Sequence, residues 1–92
     1  MITNDTVLVR NDALVSAQMG TDLAMMDMDT GKYFVLQEVA AFIWDRLADP
    51  ATPAQLCEVL TRRYDVTAER CRGDVLPFLQ KAHDKGLLRR VE

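Results

Sequence analysis

Apolar residues dominate three short stretches in the first half of the chain, and turn-forming residues separate them. The stretches are residues 13–18, 23–28 and 32–36, with Gly-Thr-Asp at 20–22 and Asp-Thr-Gly at 29–31 between them. Aspartate followed by glycine is typical of tight hairpins, because glycine takes a left-handed backbone without steric cost. Short turns between consecutive strands predict an antiparallel meander whose third strand is an edge, unless the N-terminal residues cover it.

The remainder of the chain has the apolar spacing of amphipathic helices, with clear signals for where two of them begin or end. In residues 38–47 the apolar side chains fall on one helical stripe, and Pro50 ends that helix. A second helix is predicted to begin at Pro53, because Thr52 is a suitable N-cap and Gln55 completes a capping box.

The third helix contains a proline, which leaves its course open. The helix is predicted to run from Thr67 to about Lys85, with Gly86 as a left-handed stop. Pro77 would remove one hydrogen bond and crowd the carbonyl of Gly73, at a cost of about 3 kcal/mol. We therefore expect either a bend between these two residues or a helix that starts later than Thr67.

These patterns predict a single α+β domain in which a three-stranded antiparallel sheet is followed by three helices. The chain has 92 residues, which leaves no room for a second core. Residues 1–12 are polar and weakly patterned, so we expect an extended N-terminal arm from which Val7 and Val9 touch the domain formed by residues 13–92. Leu87 and Leu88 are expected to fold back onto the core.

Charge and composition weigh against several classes of protein. With 11 basic and 14 acidic residues the net charge is −3, which weighs against a nucleic-acid binder. No stretch approaches the length of a membrane-spanning helix, and the N-terminus lacks the features of a signal peptide, so we expect a cytoplasmic protein. Cys57 and Cys71 are far apart in sequence and are expected to be reduced thiols on helices.

No catalytic or metal-binding motif is present in the sequence, so we expect neither an enzyme nor a cofactor. His83 is the only histidine, and it is interpreted as a solvated residue near the end of the third helix rather than a metal ligand. Arginines at 62, 63, 70 and 72 could grip phosphates in a DNA-binding protein. Carboxylates alternate with them along the chain, however, which favours a surface of ion pairs.

The third strand, Lys-Tyr-Phe-Val-Leu at 32–36, is the main functional candidate. An apolar edge strand with no proline is prone to aggregation unless something pairs with it. Either another part of this chain covers that edge, or a partner peptide adds to it during function. The composition of the strand does not distinguish these two possibilities.

Several motifs in order resemble the PqqD family, the precursor-peptide recognition elements of ribosomally made, modified peptides. They are the hairpin DTGKYF, the following VLQEVA, the helix sequence AFIW, the helix start TPAQL and the ending DVLPFL…GLL. The similarity spans roughly residues 13–90. The length of the chain and the hairpin MDTGKYF are more similar to the small B1 proteins of lasso peptide systems than to PqqD proper. Gln37, where the family commonly has asparagine, and Pro77 depart from the family pattern.

The resemblance implies a winged helix-turn-helix-like fold and a site for a leader peptide. In that family the leader adds as a further antiparallel strand to the third strand, in a groove against the third helix. The residues that would bind it are Lys32, Tyr33, Phe34, Val35 and Leu36 on the strand, and Asp74, Val75, Phe78 and Leu79 on the helix. Alternation sends Phe34 and Leu36 to one face and Tyr33 and Val35 to the other, and both sets stay candidates.

The function implied is non-catalytic capture of a leader peptide and its delivery to a modifying enzyme. In a lasso system the partner would be a leader-cleaving cysteine protease, followed by an ATP-dependent cyclase; in the PqqD setting it would be a radical-SAM enzyme. The alternative is a winged-helix DNA-binding transcriptional regulator, because one fold can serve both functions. A weaker possibility is a small subunit whose active site another chain completes. The protein is expected to be a monomer or a weak dimer paired through its open edge.

Overall fold

The computed structural model describes residues 1–91 and contains, within them, five strands and three helices. In chain order they are β1 (Leu8–Arg10), β2 (Leu14–Met19), β3 (Asp22–Asp27), β4 (Tyr33–Leu36), α1 (Glu38–Arg46), α2 (Pro53–Arg63), α3 (Ala68–Asp84) and β5 (Leu88–Arg90). No helix in this described part of the chain is both long and apolar enough to cross a membrane.

The predicted meander is confirmed. Its order is β2-β3-β4, both pairings are antiparallel, and β4 is an edge. Gly20 and Gly31, with φ of 65° and 73°, occupy the left-handed positions in the two turns. Because each turn needs a residue that tolerates positive φ, glycine at these two places sets where the strands reverse.

The N-terminal residues differ from the extended arm predicted for them. β1 pairs antiparallel with β5 in a separate two-stranded sheet, with Leu8 opposite Arg90. Leu8 is fully buried, and its backbone also exchanges hydrogen bonds of 2.8 and 2.9 Å with Ala51. Ile2 is buried as well, so this stretch contributes to the core rather than lying along its surface.

The three helices begin where the sequence predicts, and side chains cap the starts of two of them. At α2 the Gln55 N–H donates to the Thr52 hydroxyl at 3.2 Å, and the Thr52 N–H donates to Gln55 Oε1 at 2.9 Å, so both halves of the capping box are present. At α3 the Arg70 N–H donates to the Thr67 hydroxyl at 3.2 Å. The late start considered for α3 is therefore wrong.

The proline in α3 is accommodated without interrupting the helix. Pro77 is exposed, and residues on either side of it stay helical from Ala68 to Asp84. Val75 and Leu79 lie on the opposite, buried side of the helix, with exposed fractions of 4% and 0%, and pack against the core. Packing of that buried face offsets the hydrogen bond lost at Pro77.

The core lies between the helices and one face of the meander. Leu23, Met25 and Leu36 point into it from the sheet, and Trp44 enters from α1. The guanidinium of Arg10 lies 4.6 Å from the centroid of the Trp44 ring, which closes the core beside β1. Leu87 and Leu88 fold back and are buried, which confirms that prediction.

Candidate functional site

The outer edge of β4 carries backbone groups that no strand of residues 1–91 uses. The Asp27 N–H donates to the Lys32 carbonyl at 2.9 Å, and hydrogen-bonded pairs alternate along an antiparallel ladder. It follows that Phe34 and Leu36 bond to β3, whereas the N–H and C=O groups of Tyr33 and Val35 point to the open edge. A segment lying beside β4 could therefore pair with both residues.

A groove of about 390 Å³ runs between this edge and α3. β4 forms one wall of it, and the second half of α3 forms the other. Its lining residues are Tyr33, Phe34, Val35, Leu36, Phe78, Lys81, Ala82, Lys85 and Leu87. An open edge beside an apolar groove is the geometry used for strand addition, in which the backbone supplies affinity and pockets for side chains supply specificity.

Five of the nine predicted binding residues line this groove, and a sixth adjoins it. Phe34 is half-buried and Leu36 is buried, both on the core side of β4. Tyr33 and Val35 point to the opposite face, with exposed fractions of 77% and 60%. Lys32 immediately precedes the strand and bonds to β3 through its carbonyl.

The other three predicted residues lie outside the groove. Leu79 is fully buried in the core. Asp74 and Val75 line a separate, smaller cavity of about 190 Å³ together with Val39 of α1 and Tyr64. Phe78 is therefore the predicted helix residue that the structure places beside β4.

Four groove residues were missed by the sequence reasoning. Lys81, Ala82 and Lys85 follow Phe78 by three, four and seven residues, which is the spacing of one helical face. Helical periodicity counted from Phe78 could have identified them. Leu87 lies beyond the helix, and no local pattern links it to β4.

The face of the sheet that points away from the helices is mostly apolar, with Asp22 at one end of it opposite Met19. Along it, Ala17 lies beside Ala24 and Ala24 beside Val35, while Val15 lies beside Met26 and Met26 beside Tyr33. We call this surface the outer sheet face and define it as Val15, Ala17, Met19, Ala24, Met26, Tyr33 and Val35. Its members are exposed or half-buried, and β4 belongs both to it and to the groove.

Three of the four arginines that could grip phosphates, Arg62, Arg63 and Arg70, contact other groups of this chain. Arg62 forms an ion pair with Glu58 at 2.8 Å and Arg70 with Asp74 at 3.9 Å, as expected for a surface of ion pairs. The guanidinium of Arg63 lies 4.7 Å from the centroid of the Phe42 ring. All of them lie outside the lining of the groove.

The remaining titratable side chains with candidate chemistry lie away from the groove. Cys57 and Cys71 are free thiols on helices, as predicted, and both are buried. Burial, together with the hydrogen bond that the protonated Cys57 thiol makes to Cys71, raises the pKa of Cys57 to about 11. A thiol this reluctant to ionise is a poor nucleophile at neutral pH. His83 is half-buried rather than solvated, with Nδ1 3.9 Å from the Asp84 carboxylate. Within residues 1–91, no three potential metal ligands lie together.

Comparison with known proteins agrees with this geometry. The family described as coenzyme PQQ synthesis protein D (PqqD) matches residues 22–88. A solved structure described as TbiB1 in complex with the TbiA(beta) leader peptide is 28% identical, with a TM-score of 0.81, over 88% of this chain and 94% of that one.

A second structure, described as lasso peptide synthetase B1 complexed with the leader peptide, is 24% identical. It covers 89% of this chain and 96% of its own, with a TM-score of 0.78, and shows that the fold is shared. No curated protein matches this chain significantly.

Proposed function

This chain belongs to the PqqD family, and on that premise we propose that it binds the leader segment of a ribosomally made precursor peptide in lasso peptide biosynthesis. The observation that carries the proposal is the open edge of β4, where Tyr33 and Val35 present unused backbone groups beside an apolar groove. The similar protein TbiB1 was solved with a leader peptide bound.

The leader adds to β4 as an antiparallel strand. Its backbone pairs with Tyr33 and Val35, which tolerates variation in the peptide sequence because no side chain takes part. Side chains on its inward face then enter the groove, where Phe34 and Phe78 supply apolar contact. The buried Leu36 and Leu79 support these walls from the core.

Asp74 and Val75 contribute differently from the groove residues. Phe78 lies one helical turn beyond them, so their cavity continues the line of the groove past the end of β4. An antiparallel peptide reaches this cavity with residues that precede its paired strand. Lys32 meets the opposite end of the same peptide.

We also propose that the protein is not itself an enzyme and delivers the bound leader to the leader-processing cysteine protease of the pathway or to another modifying enzyme. Delivery raises the effective concentration of the precursor at the enzyme, and it does so without any new contact between the precursor and the enzyme. The outer sheet face supports this step, because an exposed apolar surface of several strands is typical of a protein–protein contact. Without peptide, the same open edge would permit a weak dimer.

The test of leader binding is an NMR titration of the labelled protein with the leader peptide encoded beside this gene. We expect amide shifts concentrated in residues 32–36 and 78–87, because those backbone and side-chain groups line the edge and the groove. Shifts confined to the arginines of α2 and α3 on addition of duplex DNA, with none from the peptide, would instead establish the DNA-binding alternative. Neither the family match nor the two solved structures support that alternative.

A further inference from the structure

All three lysines of this acidic chain lie at the groove. Lys81 of α3 and Lys85, directly after that helix, line it, and Lys32 directly precedes β4. The other eight basic residues are arginines, and none of them lines the groove. A protein with a net charge of −3 thus has a groove whose charged lining residues are both positive.

Within residues 1–91, neither Lys81 nor Lys85 lies within ion-pair distance of a carboxylate. The nearest acidic residue in sequence, Asp84, accepts a hydrogen bond of 2.9 Å from Gln80 and lies beside His83. Lysines near the end of a helix also interact favourably with its dipole, but that interaction does not require them to line the groove, and it does not involve Lys32. Two ammonium groups without a carboxylate partner, in an otherwise apolar groove, therefore favour a ligand that carries negative charge.

We propose that the groove selects a leader segment that carries an apolar residue followed by carboxylates, with the carboxylates placed against Lys81 and Lys85. This inference rests on the proposed function, since it specifies the chemistry of the peptide that adds to β4. It commits the site to an acidic peptide rather than to any apolar strand.

The order of residues follows from the direction of the two walls. Val39 lies opposite Asp74 and Val75, whereas β4 lies opposite Phe78 to Lys85, so α3 runs antiparallel to β4. A peptide antiparallel to β4 is then parallel to α3. It passes Phe78 first and the two lysines afterwards.

The spacing follows from the geometry of the elements. Lys81 and Lys85 are one turn apart, about 6 Å along the helix axis. Residues on the same face of a strand recur every second position, about 6.6–6.8 Å. Phe78 precedes Lys81 by about 4.5 Å and Lys85 by about 10.5 Å along the same axis. The inward positions two and four residues after an apolar side chain at Phe78, about 6.7 and 13 Å along the strand, are therefore the ones nearest to the two lysines.

The experiment is selection from a displayed library of random peptides on the folded wild-type protein and on two charge-reversal variants. The first variant is Lys81→Glu/Lys85→Glu. The matched control is Arg72→Glu, about two and a half turns before Lys81 on the same helix and therefore on its opposite side, where it lines another cavity. Amide spectra of α1 and α2 verify that each variant is folded.

We expect the wild type and Arg72→Glu to enrich aspartate or glutamate two or four residues after an apolar position. The double variant should lose that enrichment and bind a selected acidic peptide about three- to tenfold more weakly for each reversed charge. Binding by the wild type should also weaken as salt is added, because these charges are partly exposed.

The outcomes separate this inference from the proposed function. If peptides are selected and shift residues 32–36 but show no positional preference for acids, strand addition stands and the lysine inference is overturned. Equal enrichment of acidic residues at every position would also overturn it, because it would indicate general attraction of acidic peptides to the protein rather than carboxylates placed against Lys81 and Lys85. If neither the library nor the encoded leader binds, the proposed function itself fails.

Discussion

Neighbouring residues of β4 direct their backbone groups in opposite directions. Phe34 bonds inward to β3, and Val35 presents its N–H and C=O outward to the open edge. This alternation means that a change at Val35 affects a partner strand while leaving the sheet of the protein itself intact.

Replacing Val35 with proline should abolish leader binding without unfolding the protein. Proline removes the outward N–H and is tolerated at an edge where that donor faces solvent. The measurement is leader affinity by titration calorimetry, with thermal unfolding recorded in parallel. Val35→Ala is the control, since it keeps the N–H and loses only the side chain, and it should retain most of the affinity. Wild-type affinity in the proline variant would show that strand addition at this edge is wrong.

The buried thiol of Cys57 should make the protein less stable in alkali. Its pKa rises from 9.0 to about 11 because burial disfavours the thiolate. Below pH 9 both the folded and the unfolded chain hold the proton. Between pH 9 and about 11 the unfolded chain releases it first, so the free energy of unfolding falls as the pH rises, by at most about 1.4 kcal/mol per pH unit.

Denaturant unfolding across this pH range measures the effect. The control is Cys57→Ala, which lowers stability at every pH but lacks this slope, so the slopes rather than the absolute stabilities are compared. Equal slopes for the two proteins would contradict the assignment to Cys57.

Among the elements, α3 most clearly shows tertiary packing overriding local preference. It contains Gly73 and Pro77, both poor helix formers, yet it is continuous over Ala68–Asp84. Its buried stripe of Cys71, Val75, Leu79 and Ala82 packs on the core, while the proline faces solvent. The helix also supplies one wall of the groove, so its course decides the shape of the site.

Pro77→Ala should stabilise the protein by about 1–3 kcal/mol, because alanine restores the missing hydrogen bond on an exposed face. Urea unfolding measures the change, and Arg72→Ala on the same helix serves as a control expected to change stability by less than about 0.5 kcal/mol. Because Pro77 lies outside the groove lining, leader affinity should stay unchanged. Unaltered or reduced stability would mean that the helix is arranged around the proline.

Across the whole molecule, β4 joins two surfaces with different roles in the proposed function. Its edge borders the groove, and its outward side chains complete the outer sheet face. A bound leader therefore extends the same sheet whose apolar face we propose to contact the enzyme. Capture and delivery can occur together because they use different sides of one strand.

Met26→Lys should impair delivery and leave capture intact. Met26 lies centrally on the outer sheet face, between Val15 and Tyr33, and a lysine there would have to be desolvated in an enzyme contact. Leader cleavage by the peptidase of the pathway should slow by about tenfold or more, as at the centre of other interfaces, while leader affinity is unchanged. Ser16 is also exposed but is directed to the other face of the sheet, so Ser16→Lys is the control, and the leader should be cleaved at the normal rate with it. If Met26→Lys is processed at the wild-type rate, the enzyme docks elsewhere.

Local sequence determined the elements that depend on near neighbours. The glycines of the two turns, the capping box of Thr52 and Gln55, and the stop at Gly86 act within a few residues, so each can be recognised in the sequence alone. The same holds for the order of β2, β3 and β4, which follows from their short turns, whereas only the structure shows that β1 pairs with β5 and leaves the edge of β4 open within residues 1–91. The motifs of the PqqD family are likewise read directly from the chain.

Only the tertiary structure decided what depends on distant residues. β1 is too short to show a strand pattern, and its partner β5 lies at the other end of the chain. Similarly, helical spacing marks Val75, Phe78 and Leu79 equally as apolar, but the angle at which α3 packs places Phe78 beside β4 and buries Leu79. Periodicity reports which side chains share a face, whereas the packing of one element on another decides which of them meet across the groove.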